Sequence, residues 1–221
     1  MIGLSYGNLA SSSEGFNIGG IKFDGVNDYI NVSSLAFAGD FAFQFWLEYV
    51  EHNAIWSIIC GSYSNGIAIK LDGLSNYVNW PSTSFNLNTD PKTINKYHFI
   101  VTRSGSTITF YQDGVLADTK TYEGTVTLSR LGGTTLNANF GAYASKMAEV
   151  AAWNTFLTSG EITSLYNNNK GRLASTIKSG NLQRYYRLNG IAGDSIAIDE
   201  TGNNNANLVN FDTATCWQQL T

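Results

Sequence analysis

The amino-acid sequence predicts an all-β protein, a sandwich of the jelly-roll kind with one short surface helix. Apolar and polar residues alternate at period two over many short stretches, which is the pattern of half-buried strands. Turn residues punctuate these stretches at regular spacing, with 22 glycines but only two prolines in 221 residues. One stretch alone has the periodicity and the end signals of a helix.

The first strong strand is FAFQFWLEYV, which begins at Phe41. Its alternate positions are large and apolar, which places these residues on a core face: Phe41, Phe43, Phe45, Leu47 and Tyr49. The opposite face carries Ala42, Gln44, Trp46 and Glu48. Trp46 and Trp153 lie inside strand patterns, so we expect both in the core. SIICGS and GIAIKLDG follow as short strands on either side of the turn cluster SYSNG.

The next segment, KYHFIVTRSGSTITFYQDGVLADTKTY, predicts three successive antiparallel strands. The first two, residues 98–102 and 107–111, join through the turn RSGS. The chain reverses again at Asp113-Gly114 and continues as a strand over residues 115–121. TVTLSRLGGTT supplies a further strand.

The helical stretch is LTSGEITSLYNNNKG. Thr158 or Ser159 is the predicted N-cap, Glu161 lies in the first turn, and the Asn/Gly run ends the helix. Three residues form its apolar side: Ile162, Leu165 and Tyr166. We therefore expect a short surface helix that closes the sandwich.

Composition and charge argue against several classes of function. A net charge of −4 disfavours nucleic acid and anionic membrane surfaces as partners, because both require a basic footprint. No apolar run approaches the roughly 20 residues of a membrane-spanning helix. The start, MIGLSYGNLASSSEGF, lacks the positive and apolar regions of a signal peptide. We expect a chain that stays in the cell or leaves by a route other than general secretion.

The two cysteines leave two alternatives open. Cys60 lies in the apolar run SIICGS and Cys216 near the C-terminus, so they are either idle thiols or a disulfide that pins the tail. With His52 and His98 as the only histidines and no CxxC spacing, the sequence argues against a zinc site.

Four segments, in order, resemble the laminin-G-like, concanavalin A-like lectin/glucanase family of jelly rolls: IKFDGVNDYINV, FAFQFWLEYV, YHFIVTRSGSTITFYQDGVLA and MAEVAAWNTFLTSGEITSLYNNN. Tyr97-His98 stands where the family usually has Trp-His, and the resemblance implies a structural role for His98. The resemblance covers about residues 18–170. It implies a concanavalin A-like jelly-roll domain over residues 1–170, of the kind found in phage virion proteins.

The segment LQRYYRLNGIAGDSIAIDETGNNNANLVNF looks like the unit that usually precedes such a domain, but here it follows the domain. Two interpretations are open: it adds strands to the same sandwich, or it begins a second, incomplete unit. We favour added strands for residues 171–221, because an isolated hairpin is only marginally stable and must bury its apolar face.

The sequence predicts a protein that is not an enzyme. The glucanase branch of the resembling family places acidic residues close together on one strand face, as a retaining hydrolase requires. No Glu-x-Asp-x-x-Glu spacing occurs here, and Glu48 and Glu51 fall on opposite faces of an extended strand. No Gly-x-Ser-x-Gly motif occurs either.

Two acidic turn segments are candidate calcium sites. One holds Asp24 and Asp28, near a strand where many members of the resembling family bind calcium. The other holds Asp199, Asn203 and Asn205 as an oxygen cage, although the residues that follow Asp199 do not match an EF-hand loop. The alternative at both places, which we favour, is turn formation by Asp and Asn side chains.

The candidate sugar-binding residues lie on two loops. DGLSNYVNWPSTSFNLNTD carries Tyr77, Asn79 and Trp80, and Tyr63 lies in GSYSNG. Exposed aromatic rings stack on sugar rings in jelly-roll lectins, while amide groups supply hydrogen bonds. The alternative for Trp80 is packing at the rim of the core.

Two classes of function fit these expectations. The first is a non-catalytic structural protein of a phage virion, such as a capsid decoration, head-fibre or tail-associated jelly roll, assembled in the host cytoplasm. Its partners are other virion proteins or a cell-surface glycan. The alternative is an extracellular bacterial carbohydrate-binding or adhesion module. In either case strand edges are docking places for a neighbour, including a second copy in a homo-oligomer.

Overall fold

The fold consists mainly of two antiparallel sheets. The structure is a computed structural model that describes residues 18–49, 77–80, 83–88, 96–132, 145–202 and 204–221. The strands among these residues are β1 (Gly19–Phe23), β2 (Tyr29–Phe37), β3 (Phe41–Tyr49), β4 (Tyr77–Trp80), β5 (Thr83–Asn86), β6 (Lys96–Ser104), β7 (Thr107–Gln112), β8 (Val115–Thr121), β9 (Val126–Leu131), β10 (Ser145–Trp153), β11 (Leu182–Tyr186), β12 (Ile196–Ala197), β13 (Ala206–Val209) and β14 (Trp217–Gln219). The helix α1 spans Ser159–Tyr166, and short 3-10 helices span Ala174–Thr176 and Ser179–Asn181.

The strands form two main sheets and one separate hairpin. The larger sheet has the order β14-β1-β10-β3-β6-β7-β8, and β11 also pairs with β10. The second sheet has the order β12-β13-β2-β9, while β4 and β5 form a separate two-stranded ladder among the described strands. One apolar core takes side chains from both main sheets, such as Phe45 and Phe99 from the larger and Ile30 and Leu128 from the second. The predicted all-β sandwich is confirmed.

Strand β3 is buried on both faces. Phe43 and Phe45 lie in the core between the sheets, as the alternation predicts. On the opposite face, Trp46 packs against Leu220 of the C-terminal tail, and Ala42 belongs to a second cluster that includes buried residues of α1. The helix and the tail therefore cover the face of the large sheet that would otherwise meet solvent.

His98 has the structural role that the resemblance implies. Its ring is buried and stacks on Trp46 with ring centroids 4.7 Å apart. Its Nε2 lies 3.3 Å from Oε1 of Gln44. Burial lowers the pKa of His98 to about 3, so the ring is neutral at ordinary pH.

The predicted helix and its cap are confirmed. Thr158 is the N-cap, and its backbone N–H donates to Glu161 Oε2 at 2.7 Å. Glu161 N–H donates in return to Thr158 Oγ1 at 3.4 Å, which completes a capping box. Asn167 ends α1 in the left-handed conformation. Ile162 and Leu165 bury the apolar side of the helix.

The predicted hairpins are also confirmed. Strands β6, β7 and β8 pair in sequence order as antiparallel neighbours. Asp113 and Gly114 both have positive φ, at 54° and 75°, which is the geometry that a two-residue turn between twisted strands requires. The Asp113 carboxylate also accepts a hydrogen bond of 2.8 Å from the backbone N–H of His98.

The C-terminal segment contributes strands to both main sheets. Strand β11 pairs with β10 and β14 pairs with β1 in the larger sheet. Strand β13 pairs with β2 in the second sheet, and β12 extends that sheet beyond β13. The segment therefore lies on both sides of the core. The domain boundary at residue 170 stays a prediction.

Several sequence predictions concern residues outside the described ranges. These include the proposed strands SIICGS and GIAIKLDG, and with them Cys60. Cys216 is a buried free thiol, and burial raises its pKa to about 11. Within the ranges that the structure covers, no helix is both long and apolar enough to cross a membrane.

Candidate functional site

An open cavity of about 570 Å³ lies in the C-terminal segment, between the loop that follows β11 and strands β12 and β14. We call it the C-terminal cavity, and its principal lining residues are Arg187, Asn189, Asp194, Ile198, Glu200 and Trp217. A second cavity of about 380 Å³ adjoins it, since Asn189, Gly190 and Trp217 line both. The volume of the C-terminal cavity is in the range of small-molecule binding sites.

Trp217 is held in a fixed position in the wall shared by the two cavities. Its backbone pairs with Ile21 in the β1–β14 ladder. Its indole Nε1–H donates to the backbone oxygen of Asp194 at 3.0 Å. Gly190 lies against the indole, and a Cβ at that residue would come within 2.7 Å of Trp217 Cε2. Only glycine allows this close contact, so residue 190 and the strand pairing together orient the ring.

The segment from Ile191 to Glu200 supplies two carboxylates and an apolar rim to the cavity. The Asp194 side chain accepts a hydrogen bond of 2.9 Å from Ile191 N–H and so closes a turn. Gly193 has a φ of 96°, and its N–H donates to Thr213 O at 2.8 Å, which ties the loop to the chain before β14. The isoleucines of this region are exposed: Ile191, Ile196 and Ile198. Isolated exposed aliphatic residues are common, but three beside one cavity form an apolar contact surface.

Asp199 fixes the backbone of the loop that carries Glu200 to the cavity wall. The buried Asp199 carboxylate accepts from two N–H groups through Oδ1, those of Tyr185 at 2.9 Å and Thr201 at 3.0 Å. Oδ2 accepts from Thr201 Oγ1 at 2.8 Å and Asn204 N–H at 3.1 Å. Glu200 N–H donates to Tyr185 O at 2.8 Å. The loop is thereby attached to β11.

Arg187 connects the cavity to a buried carboxylate behind it. Glu149 is fully buried in β10 and has a positive φ of 51° at an irregularity in the β3–β10 ladder. Its Oε1 accepts from Arg187 Nε at 3.1 Å, and its Oε2 accepts from the Tyr185 hydroxyl. Burial raises the pKa of Glu149 to about 7, against the lowering effect of the Tyr185 and Arg187 hydrogen bonds. The positive charge of Arg187 is thus paired inside the protein.

The sequence-predicted sugar residues lie at the other edge of the large sheet. Tyr77, Asn79 and Trp80 belong to β4, whose partner β5 is tied to β8 by a hydrogen bond of 3.0 Å from Asn86 N–H to Asp118 Oδ2. Strands β8 and β14 are opposite ends of the sheet order. The side chains on β4, and all of Tyr63, lie outside what the structure describes.

The first predicted calcium segment forms a turn. Asp24 Oδ1 accepts from Val26 N–H at 2.8 Å, and Asp24 N–H donates to Asp28 Oδ2 at 2.9 Å. Asp28 is buried, and its Oδ1 has no hydrogen-bond partner among the described residues. Asp24 therefore closes the turn, which is the alternative that we favour, while Asp28 keeps one unsatisfied oxygen.

The second predicted calcium segment is saturated with hydrogen bonds. Four donors fill the acceptor positions of Asp199, and Asn205 Oδ1 accepts from Asp199 N–H at 3.0 Å. Asn203 lies outside the described residues. Over the described ranges, no group of three or more His, Cys, Asp or Glu side chains is placed to hold a metal ion. This geometry favours turn formation, and calcium binding stays a prediction.

The turn interpretation of Asp28 has a measurable consequence. Burial raises the pKa of Asp28 from 3.8 to about 6, so the folded protein holds the proton more tightly than the unfolded chain. We expect the contribution of Asp28 to the free energy of unfolding to fall as the pH rises from 3.8 to about 6. Urea unfolding of the wild type and Asp28→Asn between pH 3.5 and 7 measures it, because the variant lacks this dependence.

The same samples test the calcium alternative at this turn. We expect calcium to leave the melting temperature unchanged, as for a carboxylate that only forms a turn. A melting temperature that rises with calcium concentration, and does so less in Asp28→Asn, would identify a bound cation at the unsatisfied oxygen.

Sequence reasoning missed the C-terminal cavity. Trp217 stands alone in the short stretch CWQQ, where no local pattern shows its contact with Gly190. The exposed isoleucines of IAGDSIAI were a usable signal, since they place apolar side chains beside Asp194. Glu149 and Arg187 carry no such signal, because 38 positions separate them.

Comparison with known proteins identifies relatives at the level of the fold. A sequence model of the concanavalin A-like lectin/glucanase superfamily matches residues 24–163. The residues that line the C-terminal cavity lie beyond that match. A comparison with curated protein sequences gives no significant match.

Two solved structures illustrate the similarity. A candidate carbohydrate-binding protein from Bacteroides ovatus aligns over 87% of this chain with a TM-score of 0.68 and 17% identity. The chain spans 58% of the length of that protein. A heptameric SAP-like pentraxin from Limulus polyphemus aligns over 71% of this chain and 86% of its own, with a TM-score of 0.52 and 13% identity. At these identities the similarity shows the fold alone.

Proposed function

Because this chain belongs to the concanavalin A-like lectin/glucanase superfamily, we propose that it is a non-catalytic carbohydrate-binding module that holds a glycan in the C-terminal cavity. The observation that carries the proposal is the fixed indole of Trp217 beside the exposed carboxylates of Asp194 and Glu200. The Bacteroides ovatus protein, which has this fold and is a candidate carbohydrate binder, supports it.

The cavity has the two kinds of surface that a sugar requires. A pyranose presents C–H groups on its ring faces and hydroxyl groups around its edge. Trp217 and the exposed isoleucines provide apolar contact for the C–H groups. Asp194, Glu200 and Asn189 provide oxygen acceptors for the hydroxyl groups. A cavity of this size encloses a ligand of one or two sugar rings.

Binding without hydrolysis fits the placement of the carboxyl groups. A glycosidase needs one carboxyl group in a desolvated setting, where it keeps a proton and acts as the acid. Asp194 and Glu200 are exposed to solvent. Glu149 has the raised pKa but is fully buried behind Arg187, so it does not reach a ligand in the cavity.

We expect Trp217→Ala to weaken glycan binding about tenfold, since a stacked aromatic ring contributes roughly 0.5–1.5 kcal/mol beyond the apolar area that it buries, and about 1.4 kcal/mol is a tenfold change. Glycan-array screening followed by titration of the best ligand measures the effect. Trp217→Phe keeps an aromatic ring at the same position and is expected to retain most of the affinity. Thermal unfolding of both variants checks that β14 still pairs with β1.

Trp80→Ala tests the competing location for the same function, on the β4–β5 hairpin at the far edge of the sheet. We expect this variant to bind like the wild type. Loss of binding in Trp80→Ala with full binding in Trp217→Ala would move the site to the hairpin and contradict our assignment.

The phage virion stays a proposed setting for this module, and it rests on the sequence resemblance. If the protein belongs to a virion, the native protein sediments with virus particles. Finding it only in the particle-free fraction of infected cells would contradict the virion setting. Native mass spectrometry of the purified protein tests the expected homo-oligomer. The Limulus pentraxin with this fold is itself heptameric.

A further inference from the structure

We propose that the C-terminal cavity selects uncharged sugars and discriminates against sugars that carry a carboxylate, such as uronic and sialic acids. The inference rests on the proposed function, since it names the class of glycan that this cavity accepts. It follows from the charges that line the cavity and from the way the fold pairs them.

The wall of the C-terminal cavity carries more negative than positive charge. Among the residues that the structure describes, the ionisable ones lining the cavity are Arg187, Asp194 and Glu200, which together carry one positive and two negative charges. Asp194 keeps its carboxylate at the wall because the turn to Ile191 N–H holds it there. Glu200 is held by its backbone bond to Tyr185 and by the adjacent Asp199 loop. The fold therefore holds the Asp194 carboxylate and the Glu200 backbone at the cavity wall.

Arg187, the positive residue of the cavity wall, is already bonded to a group inside the protein. An exposed arginine beside a sugar site is the usual partner of a ligand carboxylate, through paired N–H donors. Here the guanidinium Nε donates to the fully buried Glu149 at 3.1 Å, and only 27% of the Arg187 side chain is exposed. Burial lowers the pKa of Arg187, but the hydrogen bond to Glu149 and the charges of Glu149 and Glu200 contribute to a net rise. An acidic sugar would have to compete with the Glu149 side chain, which already accepts a hydrogen bond from Arg187 Nε.

These charges favour neutral sugars over sugars that carry a carboxylate. A neutral sugar donates its hydroxyl protons to Asp194 and Glu200 and forms charge-assisted hydrogen bonds with them. A carboxylate on the same ring has no proton to donate at neutral pH, and it adds a third negative charge to the cavity. Like charges placed together in this way oppose binding. We expect an uncharged sugar to bind at least tenfold more tightly than its carboxylated counterpart.

The test uses matched ligand pairs and the full chain. The methyl glycosides of glucose, galactose and mannose are titrated against the methyl glycosides of the corresponding uronic acids. Binding is followed by the NMR signal of the Trp217 indole N–H, a group that lines the site. The expected result is a dissociation constant at least tenfold lower for the neutral member, with a ratio that falls as salt is added.

Two sets of variants test whether the preference for neutral sugars comes from the charges of the cavity wall and of Glu149. Asp194→Asn/Glu200→Gln removes the negative wall while keeping oxygen acceptors, and we expect it to reduce the tenfold preference to about twofold or less. Glu149→Gln removes the negative charge that is paired with Arg187 while keeping an oxygen acceptor, and we expect it to strengthen binding of the uronic acids relative to the neutral sugars. Glu200→Gln alone keeps the Asp194 turn intact and serves if the double variant does not fold.

The outcomes distinguish the two proposals. A uronic acid that binds as tightly as its neutral counterpart would overturn the selectivity while leaving glycan binding in place. An unchanged ratio in Asp194→Asn/Glu200→Gln or in Glu200→Gln would also overturn it. If no member of either ligand set binds and the glycan array is blank, the proposed function fails, and this inference fails with it.

Discussion

A chain that ends at residue 181 is expected to lose cooperative folding. It lacks β11, β12, β13 and β14, so β10, β1 and β2 each lose a hydrogen-bonded neighbour. The missing segment also holds buried core residues: Tyr185, Tyr186, Leu188, Ala197, Ala206, Cys216 and Leu220. Loss of one large buried side chain costs about 2–5 kcal/mol, and a whole domain is stable by only about 5–15 kcal/mol. The combined loss therefore exceeds the stability available.

Circular dichroism during thermal and urea unfolding measures this result. The expected trace of the truncated chain has no cooperative transition, while the full chain has one. A truncated chain that melts like the full one would make the C-terminal segment an independent appendage and refute its role in the sandwich.

A chain that ends at residue 211 provides the graded control. It removes only β14 and the tail, which anchors to Glu48 in β3 through bonds from Thr221 N–H at 2.5 Å and Thr221 Oγ1 at 3.1 Å. Lys146 Nζ remains 2.8 Å from Glu48 Oε1, so this buried carboxylate keeps one partner. We expect this chain to fold with a lower melting temperature than the full chain.

At pH 8, Arg187→Met is expected to destabilise the fold by about 3–5 kcal/mol, which is the cost of leaving one member of a buried ion pair without its partner. Glu149 then loses its charged partner; it is fully buried, and its Oε2 still accepts a hydrogen bond from the Tyr185 hydroxyl. Arg187→Met/Glu149→Gln removes both charges, and we expect it to recover most of the loss. Urea unfolding of the wild type, both single variants and the double variant completes the cycle.

The destabilisation caused by Arg187→Met is expected to depend on pH, because Glu149 titrates. The pKa of Glu149 lies above its ordinary value of 4.5, at about 7, so the folded state binds this proton more tightly than the unfolded state. Its contribution to stability therefore falls as the pH rises from 4.5 to about 7 and is then constant. Without Arg187 the ionised form loses its charge partner, so the cost of Arg187→Met is larger at pH 8 than at pH 5.5.

Two results would contradict this account of the buried pair. One is an equal cost of Arg187→Met at the two pH values. The other is a double variant as unstable as Arg187→Met alone, which would assign the loss to packing of the Arg187 side chain. Glu149→Gln by itself is expected to remove the fall in stability between pH 4.5 and 7 that is due to this group.

Most of the elements described here were predictable because their signals are local. The alternation in FAFQFWLEYV places Phe43 and Phe45 on the core face of β3. Thr158 and Glu161 specify the start of α1 within four residues. Asp113-Gly114 specifies the turn between β7 and β8. Each of these signals depends only on residues that are close together along the chain, so a single sequence contains it.

The candidate site was much less predictable. The sequence directed attention to Trp80 and Tyr77, because aromatic residues among asparagines are typical of sugar-binding loops. The cavity forms instead around Trp217, whose environment depends on Gly190 and Asp194, more than 20 residues earlier. The second face of β3 is a similar case, since nothing in its alternation shows that Leu220 covers Trp46.

The sequence by itself determined the all-β class, the order of the local strands and turns, and the capped helix. The resemblance of four of its segments added the superfamily. The tertiary structure alone decided where the last forty residues pair, which face of the large sheet they cover, and which side chains meet at the C-terminal cavity. The physical reason is the distance along the chain. Glu149 and Tyr185 are 36 positions apart, Glu48 and Thr221 are 173 apart, and such contacts form only when the sheets bring the two strands together.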